Sequence, residues 1–314
     1  FIQYHPTTIE TPQKRMLITE AARGEGGRLY YMDGKRRVYF MEEKYGERGN
    51  LMPRDIVSKC IYDAPSQVYL DISFLGKKLI ESRLFEVSEL CRKYAVLDVT
   101  KESIPVYPSV HFFMGGLAVR RDHKTSIDNL YAVGECASMY HGANRLGGNS
   151  LLAAIYSGQV AAKAINELAE NKEHPDFNEY ISAQEGMLNG QLSSQSNFSA
   201  VYIRYEIAKL MNDCLGITRT EEKLLEGIQS VDYYLSISEK LTYDSDVSPY
   251  IGYSLHPMLL LARAILTSAL ARKETRGAHI RNDYPERSNE FAFCSVCKYQ
   301  NREHRISYVK EDEL

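Results

Sequence analysis

Four clusters of the chain concentrate residue types that can do chemistry. The first is His5-Pro6-Thr7, followed by Thr19-Glu20 and then Arg23-Gly24-Glu25-Gly26-Gly27. The second is Pro53-Arg54-Asp55, and the third runs from His111 to Gly116. The fourth joins Gly134-Glu135 to the string His141 to Leu151, HGANRLGGNSL. Taken singly, most of these have plain structural readings. A lone histidine is more often a satisfied structural residue than a ligand, and Gly115-Gly116 reads as a turn. Arg54 ahead of Asp55 reads as a surface ion pair of little energetic weight. Arg145 in a glycine-rich loop can simply bond carbonyls, and Glu25 reads as a turn residue. The fourth cluster is harder to dismiss. A strand that ends in Gly-Glu, followed by a glycine-rich loop that feeds a helix, is how α/β folds hold a cofactor: the carboxylate accepts bonds from sugar hydroxyls. The helix start offers free N–H groups and positive potential. The G-x-G-x-x-G fingerprint of a dinucleotide fold is absent from the chain. The residues alone point to a cofactor-binding half-domain.

The elements that must position these clusters follow from pattern. Phe1–Tyr4 and Val68–Ile72 read as strands, Arg54–Tyr62 and Ile80–Tyr94 as short helices, and repeated glycines as turns between them. Leu130–Val133, flanked by Asp128-Asn129 and Gly134, reads as a short buried strand. A helix is expected from Asn149 or Ser150, either a good N-cap. Its small residues, Gly158, Ala161 and Ala162, admit a close neighbour. Leucine-rich segments with helical period fill 177–190, 200–214, 219–240 and 254–272, a helical domain. In the last of these, Leu255, Leu259, Ala262, Leu266 and Leu270 form one apolar face, which reads as a core helix rather than a membrane span. The tail, 273–314, reads as polar and irregular.

Composition sets the outer bounds. The 314 residues suggest about two domains. Hydrophobic residues make up 44% and charged residues 25%, which excludes a disordered chain. With 38 basic and 41 acidic residues, the net charge of -3 gives no global field toward nucleic acid or anionic lipid. Six scattered cysteines are too few for a disulfide scaffold and fit a reducing compartment. Cys294-x-x-Cys297 is one pair without a second, short of the four ligands of a zinc site, so no metal site is expected. A flanking turn or a reactive thiol pair is the better reading. No basic, then apolar leader opens the chain. It begins at Phe1 with a strand in progress, so we read it as a fragment.

HGANRLGGNSL resembles the signature loop of the succinate dehydrogenase/fumarate reductase flavoprotein family. His5-Pro6-Thr7, Thr19-Glu20 with Arg23 to Gly27, Pro53-Arg54-Asp55, His111 to Gly116 and Leu130 to Glu135 match its other motifs in order. Arg276-Gly277-Ala278-His279 with Arg281, Asp283, Tyr284 and Pro285 resembles a further family stretch near the end. The similarity covers roughly residues 1–286. It implies an α/β plus all-α architecture: a capping domain at 1–108, the C-terminal part of a Rossmann-like FAD-binding domain at 109–168, a helical domain at 169–286 and a tail at 287–314. It also implies that the N-terminal flavin segment lies outside this chain.

The same resemblance implies FAD as cofactor and a four-carbon dicarboxylate as substrate, fumarate and succinate being interconverted. His111 and Arg145 would hold one carboxylate, and His5 and Thr19 the other, because a buried anion must be paired. Arg54 would deliver a proton to one alkene carbon while hydride reaches the other, and Glu20 and Arg23 would resupply it. Free arginine stays protonated to above pH ~12, so such a donor needs an immediate relay. Gly134 and Glu135 would contact the sugar part of FAD. Asn149, Ser150, Leu151 and Leu152 would bring helix N–H groups to the flavin ring. An iron–sulfur subunit is the implied partner, with a cytoplasmic location or a peripheral one on the inner face of the membrane through partner subunits. L-Aspartate oxidase is the alternative within the superfamily; it usually reads Cys at Met114 and Met-Ala at Leu146-Gly147. Adenylylsulfate reductase fits less well. A third reading, from another class, is a fragment that binds no flavin and serves as an interaction module. The segment between Asp55 and Val68 looks short against the family, and the tail after 286 departs from its pattern.

Overall fold

The computed structural model describes all residues except 12–13, 169–175, 194–198, 239–248 and 311–314. The chain divides into two compact units, Phe1–Val160 and Ala161–Leu314, and the division falls inside one long helix.

The first unit is built on a six-stranded sheet. Its elements are β1 (Ile2–Glu10), β2 (Arg15–Leu17), α1 (Ala21–Gly24), β3 (Arg28–Asp33), β4 (Arg36–Val38), α2 (Phe40–Tyr45), α3 (Arg54–Tyr62), β5 (Val68–Asp71), α4 (Lys77–Arg83), α5 (Phe85–Leu90), β6 (Ile104–Phe113) and the start of α6 (Asn149–Leu168). The sheet order is β2-β1-β6-β5-β3-β4, and every pairing is antiparallel. β6 joins the halves: Ile104–Val106 pair with β5, and Tyr107–Phe113 pair with β1. The core packs Ile9, Ile18, Leu29, Val57, Leu70 and Ile104 between sheet and helices. Burial of this kind contributes about 25 cal/mol per Å² of apolar surface and is what holds this part of the unit together.

The β1–β6 register carries two irregularities that matter for the site. Gln3 faces Phe112 and Tyr4 faces Val110, so His111 is the extra residue of a bulge. His5 faces Ser109 while Thr8 faces Tyr107, so Pro6 and Thr7 crowd the opposite strand. Proline lacks the ladder donor and is tolerated at such a break, and bulges re-aim side chains.

The helix expected at Arg54–Tyr62 is found with those bounds. Pro53 precedes it in extended conformation, φ -48° and ψ 148°, and makes Arg54 the first helical residue. The strand expected at Phe1–Tyr4 runs on to Glu10. The helix expected over Ile80–Tyr94 breaks at Leu84 into α4 and α5, and a wider turn follows over Cys91–Ala95.

Leu130–Val133 is not a strand. It makes one bridge, Lys124 to Tyr131, and Leu130 and Val133 are exposed; only Ala132 is buried. The run has the composition of a strand but only residues 123–125 beside it, too short a neighbour to extend a ladder.

The second unit is helical, as expected. It holds α7 (Asn178–Ser193), α8 (Ala200–Leu215), α9 (Glu221–Ser238) and α10 (Pro249–Ala271), then a hairpin of β7 (Cys294–Gln300) and β8 (Glu303–Val309). The end of the expected 219–240 helix lies outside the described residues. Tyr250–Ala271 is long and apolar enough to cross a bilayer by length and composition. Its inner stripe, Leu255, Leu259, Ala262 and Leu266, is buried against α8 and α9, the arrangement of a core helix. Leu270 is only half-buried, and Ala269 takes the inward position.

The tail is not irregular. β7 and β8 pair over seven positions, from Cys294–Val309 to Gln300–Glu303. Cys294 and Cys297 stand three apart on one strand, so their side chains leave opposite faces. That geometry removes both the turn and the thiol-pair readings. Beneath the hairpin, Glu274 is fully buried between Arg272 Nη1 and Arg276 Nε, both at 2.7 Å from Oε1. Arg272 also donates to the carbonyls of Phe291 and Phe293.

Candidate active site

Six of the residues singled out in the sequence meet in the first unit: His5 on β1, Glu20 and Arg23 at α1, Arg54 at the start of α3, His111 on the β6 bulge and Arg145 in the loop before α6. Arg54 is the hub. Its Nη2 and Nε lie 2.6 and 3.0 Å from Glu20 Oε2. Its Nη1 donates to Gln3 Oε1 at 3.3 Å. The other Glu20 oxygen lies 3.8 Å from Nη2 of Arg23, which is wholly buried and donates from Nη1 to the Asn50 carbonyl at 2.6 Å. A row of guanidinium, carboxylate and guanidinium results.

Charge follows from this packing. Burial alone would raise the Glu20 pKa. The hydrogen bond from Arg54 and the cations of Arg54, Arg23 and Arg145 outweigh it and leave Glu20 below the usual carboxylate range. Burial lowers Arg23 and Arg145, and the neighbouring Arg54 cation lowers them further. His5 is pushed down to about 2 by burial, then by Arg54, His111 and Arg23. Burial and the same kind of cationic neighbours, Arg54 and Arg145, lower His111. Both imidazoles are therefore neutral donors near pH 7. Their rings meet edge-on at 5.2 Å.

Several donors point at nothing among the described residues. His5 Nε2, Arg145 Nε and Arg23 Nε are buried without a hydrogen-bond partner. His5 Nδ1 lies 3.2 Å from the Thr7 carbonyl and 3.3 Å from the Thr7 N–H; in the tautomer that accepts from the Thr7 N–H, the Nε2–H is the free donor. Arg145 is buried over the Phe112 ring, 4.4 Å from its centroid, and among the described residues its guanidinium donates only to the Leu146 carbonyl, at 3.2 Å. A buried polar group without a partner costs about 1–3 kcal/mol. A cluster of such donors suits an anion that accepts from all of them.

Thr19 directly precedes Glu20. It is half-buried and its Oγ1 accepts the Ala21 N–H at 3.4 Å, so it heads α1. Gly147 lies against the hub: a Cβ there would stand 3.0 Å from Glu20 Oε2 and 3.6 Å from Arg54 Nη2.

The residues expected to hold a cofactor form a second group. Gly134 begins a single 3-10 turn at φ 68° and donates to Ser157 Oγ of α6 at 2.9 Å. Glu135 is exposed, and its Oε1 accepts the Phe113 N–H at 2.8 Å, leaving Oε2 without a hydrogen bond among the described residues. α6 opens at Asn149 with no acidic residue in its first turn. Its first N–H groups have no helical partner, and they are flanked by Leu151, Leu152 and Ile155, exposed at 72%, 65% and 63%. Exposed apolar side chains beside free helix-end donors fit a flat, partly anionic ring.

Three further polar residues were given no role by the sequence, although His141 and Asn144 lie in the string from His141 to Leu151. Gln3 is fully buried in β1 and donates from Nε2 to Asn144 Oδ1 and to the Arg145 carbonyl. Asn144 donates to Asp55 Oδ1 at 2.7 Å, so Asp55 is bonded inward rather than paired with Arg54. His141 packs edge-on against Phe112, with a buried Nε2 that lacks a partner.

Comparison with known proteins accords with the geometry. Residues 1–151 match the FAD binding domain family, and residues 204–312 match the fumarate reductase flavoprotein C-terminal family. The chain is 36% identical over 313 residues to the succinate dehydrogenase flavoprotein subunit of Bacillus subtilis, covering 92% of this chain and 53% of that protein. It is 34% identical over 322 residues to L-aspartate oxidase of Synechocystis, covering 93% and 56%. Among solved structures, a variant of E. coli quinol fumarate reductase superposes with a TM-score of 0.82 at 31% identity, covering 99% of this chain and 58% of that one. The chain thus spans about half the length of the curated relatives it matches. With matched families at both ends and these relatives, the chain belongs to the FAD-dependent succinate dehydrogenase/fumarate reductase flavoprotein family.

Proposed function

We propose that this chain carries the dicarboxylate clamp and the proton-delivery residues of a flavoprotein that interconverts fumarate and succinate. One observation carries the reading: three guanidiniums and two neutral imidazoles converge, with Glu20 within ion-pair distance of two of the guanidiniums and Glu135 acting on Arg145 and His111 from farther off. That excess of positive charge and free donors suits a dianion.

His111 and Arg145 hold one carboxylate of the substrate, and His5 with Thr19 holds the other. Neutral imidazoles donate N–H groups without competing for the proton in transit. Arg54 faces the reacting carbon and gives up a proton from its guanidinium. Glu20, ionised at rest and 2.6 Å from Nη2, first takes up a proton and then, as the carboxylic acid, passes it to that nitrogen. Arg23 feeds the other carboxylate oxygen from the buried side. Arginine is a feasible acid only because this relay restores its proton at once.

FAD, the family's cofactor, supplies or accepts the hydride when bound. The α6 start and Glu135 fit it: Ser150, Leu151 and Leu152 would hold the ring with their N–H groups, and Glu135 would hold the sugar part. Residues 1–108 act as the cap that excludes water, residues 109–168 as part of the flavin domain, and 169–286 as the helical domain. An iron–sulfur subunit on the cytoplasmic face of a membrane is the proposed electron partner.

The test is Arg54→Ala in the FAD-loaded protein. Fumarate reduction by a reduced viologen should fall by at least about 10³-fold while fumarate binding persists. Activity that survives would overturn the donor assignment. Turnover of L-aspartate with O₂ would move the reading to the oxidase branch.

A further inference from the structure

The two arginines that face the substrate stand on different segments. Arg54 opens α3, and Arg145 sits in the loop between His141 and Asn149. Like charges repel, and Arg145 has no carboxylate within ion-pair distance among the described residues. Something other than an ion pair must hold the loop at its distance from α3.

We propose that Asn144 is the positioning residue that sets this spacing, a role that rests on the functional reading above. Its amide orientation is forced. Asp55 can only accept, so Asn144 Nδ2 donates to it at 2.7 Å. The Arg145 N–H can only donate, so Asn144 Oδ1 accepts it at 3.0 Å. The same oxygen accepts Gln3 Nε2 at 2.7 Å. Gln3 is then oriented as well: its Nε2 also donates to the Arg145 carbonyl at 2.6 Å, and its Oε1 accepts Arg54 Nη1 at 3.3 Å. The bonds run one way, from Arg54 through Gln3 and Asn144 to Asp55, which is next to Arg54 in the chain. The ring closes on the first turn of α3, where a carboxylate also favours the helix dipole. It holds Arg145 by both its N–H and its carbonyl. Every member is buried or half-buried, so water competes poorly for these bonds.

A dicarboxylate bridges groups on both segments, so its binding reads their separation. Misplacement by about 1 Å is enough to cost up to about 10²-fold. An asparagine does this where a charged residue would not: a carboxylate at 144 would face Asp55, and a cation would face two arginines.

The experiment is a swap cycle in the FAD-loaded protein, with fumarate binding by calorimetry, turnover with reduced viologen, FAD content and melting temperature as readouts. Asn144→Asp sets two carboxylates against each other and should weaken fumarate binding and lower kcat by about tenfold or more each. Asp55→Asn keeps an acceptor at 55 and should stay within about threefold of wild type. The double variant, Asn144→Asp with Asp55→Asn, restores a donor opposite an acceptor and should return binding and kcat to within about threefold. Asn144→Ala covers the case in which the added carboxylate prevents folding. It should keep its FAD and lose fumarate affinity. A double variant that folds and loads FAD but is no better than Asn144→Asp would overturn the proposal, as would wild-type binding in Asn144→Ala. Arg54→Ala separates the two readings. If it keeps its activity, the functional reading fails. If it is inactive while the Asn144 variants behave as wild type, only the positioning role fails.

Discussion

Glu20→Gln isolates the relay from the clamp. The substitution keeps shape and an amide oxygen but removes the charge that Arg54 and Arg23 share. Two hydrogen bonds to a charged acceptor, at 2.6 and 3.0 Å, become at best bonds to a neutral one. A charge-assisted bond is worth about 1.5–3 kcal/mol and a neutral one about 1. Glu20 is 42% exposed, so solvent screening reduces the loss. About 1–2 kcal/mol of stability should go, a shift of about 2–5 °C in melting temperature. The catalytic effect is larger by design. With no carboxylate to re-protonate Arg54, kcat for fumarate reduction should fall about 10²–10⁴-fold, or about 3–5 kcal/mol at the transition state. Fumarate affinity should be no weaker than wild type, since the variant leaves the positive charge of Arg54 and Arg145 beside the dianion with less compensation. Steady-state turnover with reduced viologen and calorimetric titration separate the two quantities. A kcat within about fivefold of wild type refutes the relay. A large loss of affinity with unchanged kcat would instead assign Glu20 to binding.

Gly147→Ala should fold normally and slow turnover by about tenfold, because its Cβ, 3.0 Å from Glu20 Oε2, displaces the flexible carboxylate rather than backbone. Melting temperature and kcat measured together check this, and wild-type kcat would show that the carboxylate does not need the space. Acid stability tests the histidines. His5 and His279 are buried, with pKa values pushed down to about 2 and about 3, in both cases mainly by burial. Below pH 6.5 the unfolded chain binds protons that the folded one refuses, so each histidine removes about 1.4 kcal/mol of stability per pH unit as pH falls toward its folded value. Urea titrations between pH 7 and 5 should show this slope. His5→Gln should make it shallower by about that amount, and an unchanged slope would mean His5 is not a buried neutral group.

Much of the site was legible because local chemistry and pattern agreed. Pro53 before a helical repeat fixes where α3 starts and so where Arg54 stands. The glycine-rich loop before Asn149 does the same for α6. What was not legible depends on partners distant in sequence. Leu130–Val133 has the residues of a strand, but a strand needs a neighbour, and residues 123–125 supply one bridge. The β7–β8 hairpin turns on Asn301 and Arg302 at φ 55° and 63°. Such turns are usually marked by Asn-Gly or Asp-Gly, and Arg in the second position hides the signal. Glu274 with Arg272 and Arg276 reads as a polar tail, because charged residues are rarely buried unless paired, and pairing does not show in spacing alone. The Asp55–Asn144 bond, 89 residues apart, belongs to the same class.

The electrostatics of the first unit explain why so many polar groups stay together there. Arg23, Arg54 and Arg145 would repel one another if each carried its charge into a dry pocket unaided. Glu20 balances the first two, and its own lowered pKa keeps it ionised for that purpose. His5 and His111 answer the same positive field by staying neutral, so they add donors without adding charge. The Asn144–Gln3 bridge is neutral as well and restrains Arg145 through its backbone, leaving the guanidinium Nε free. Glu135 acts on Arg145 and His111 from farther off, and these choices of residue type still leave more positive than negative charge in the cluster. A site that needed only structural integrity would be more stable with that surplus neutralised. The uncancelled charge is what the proposed dicarboxylate would complete, which supports reading the cluster as a binding site.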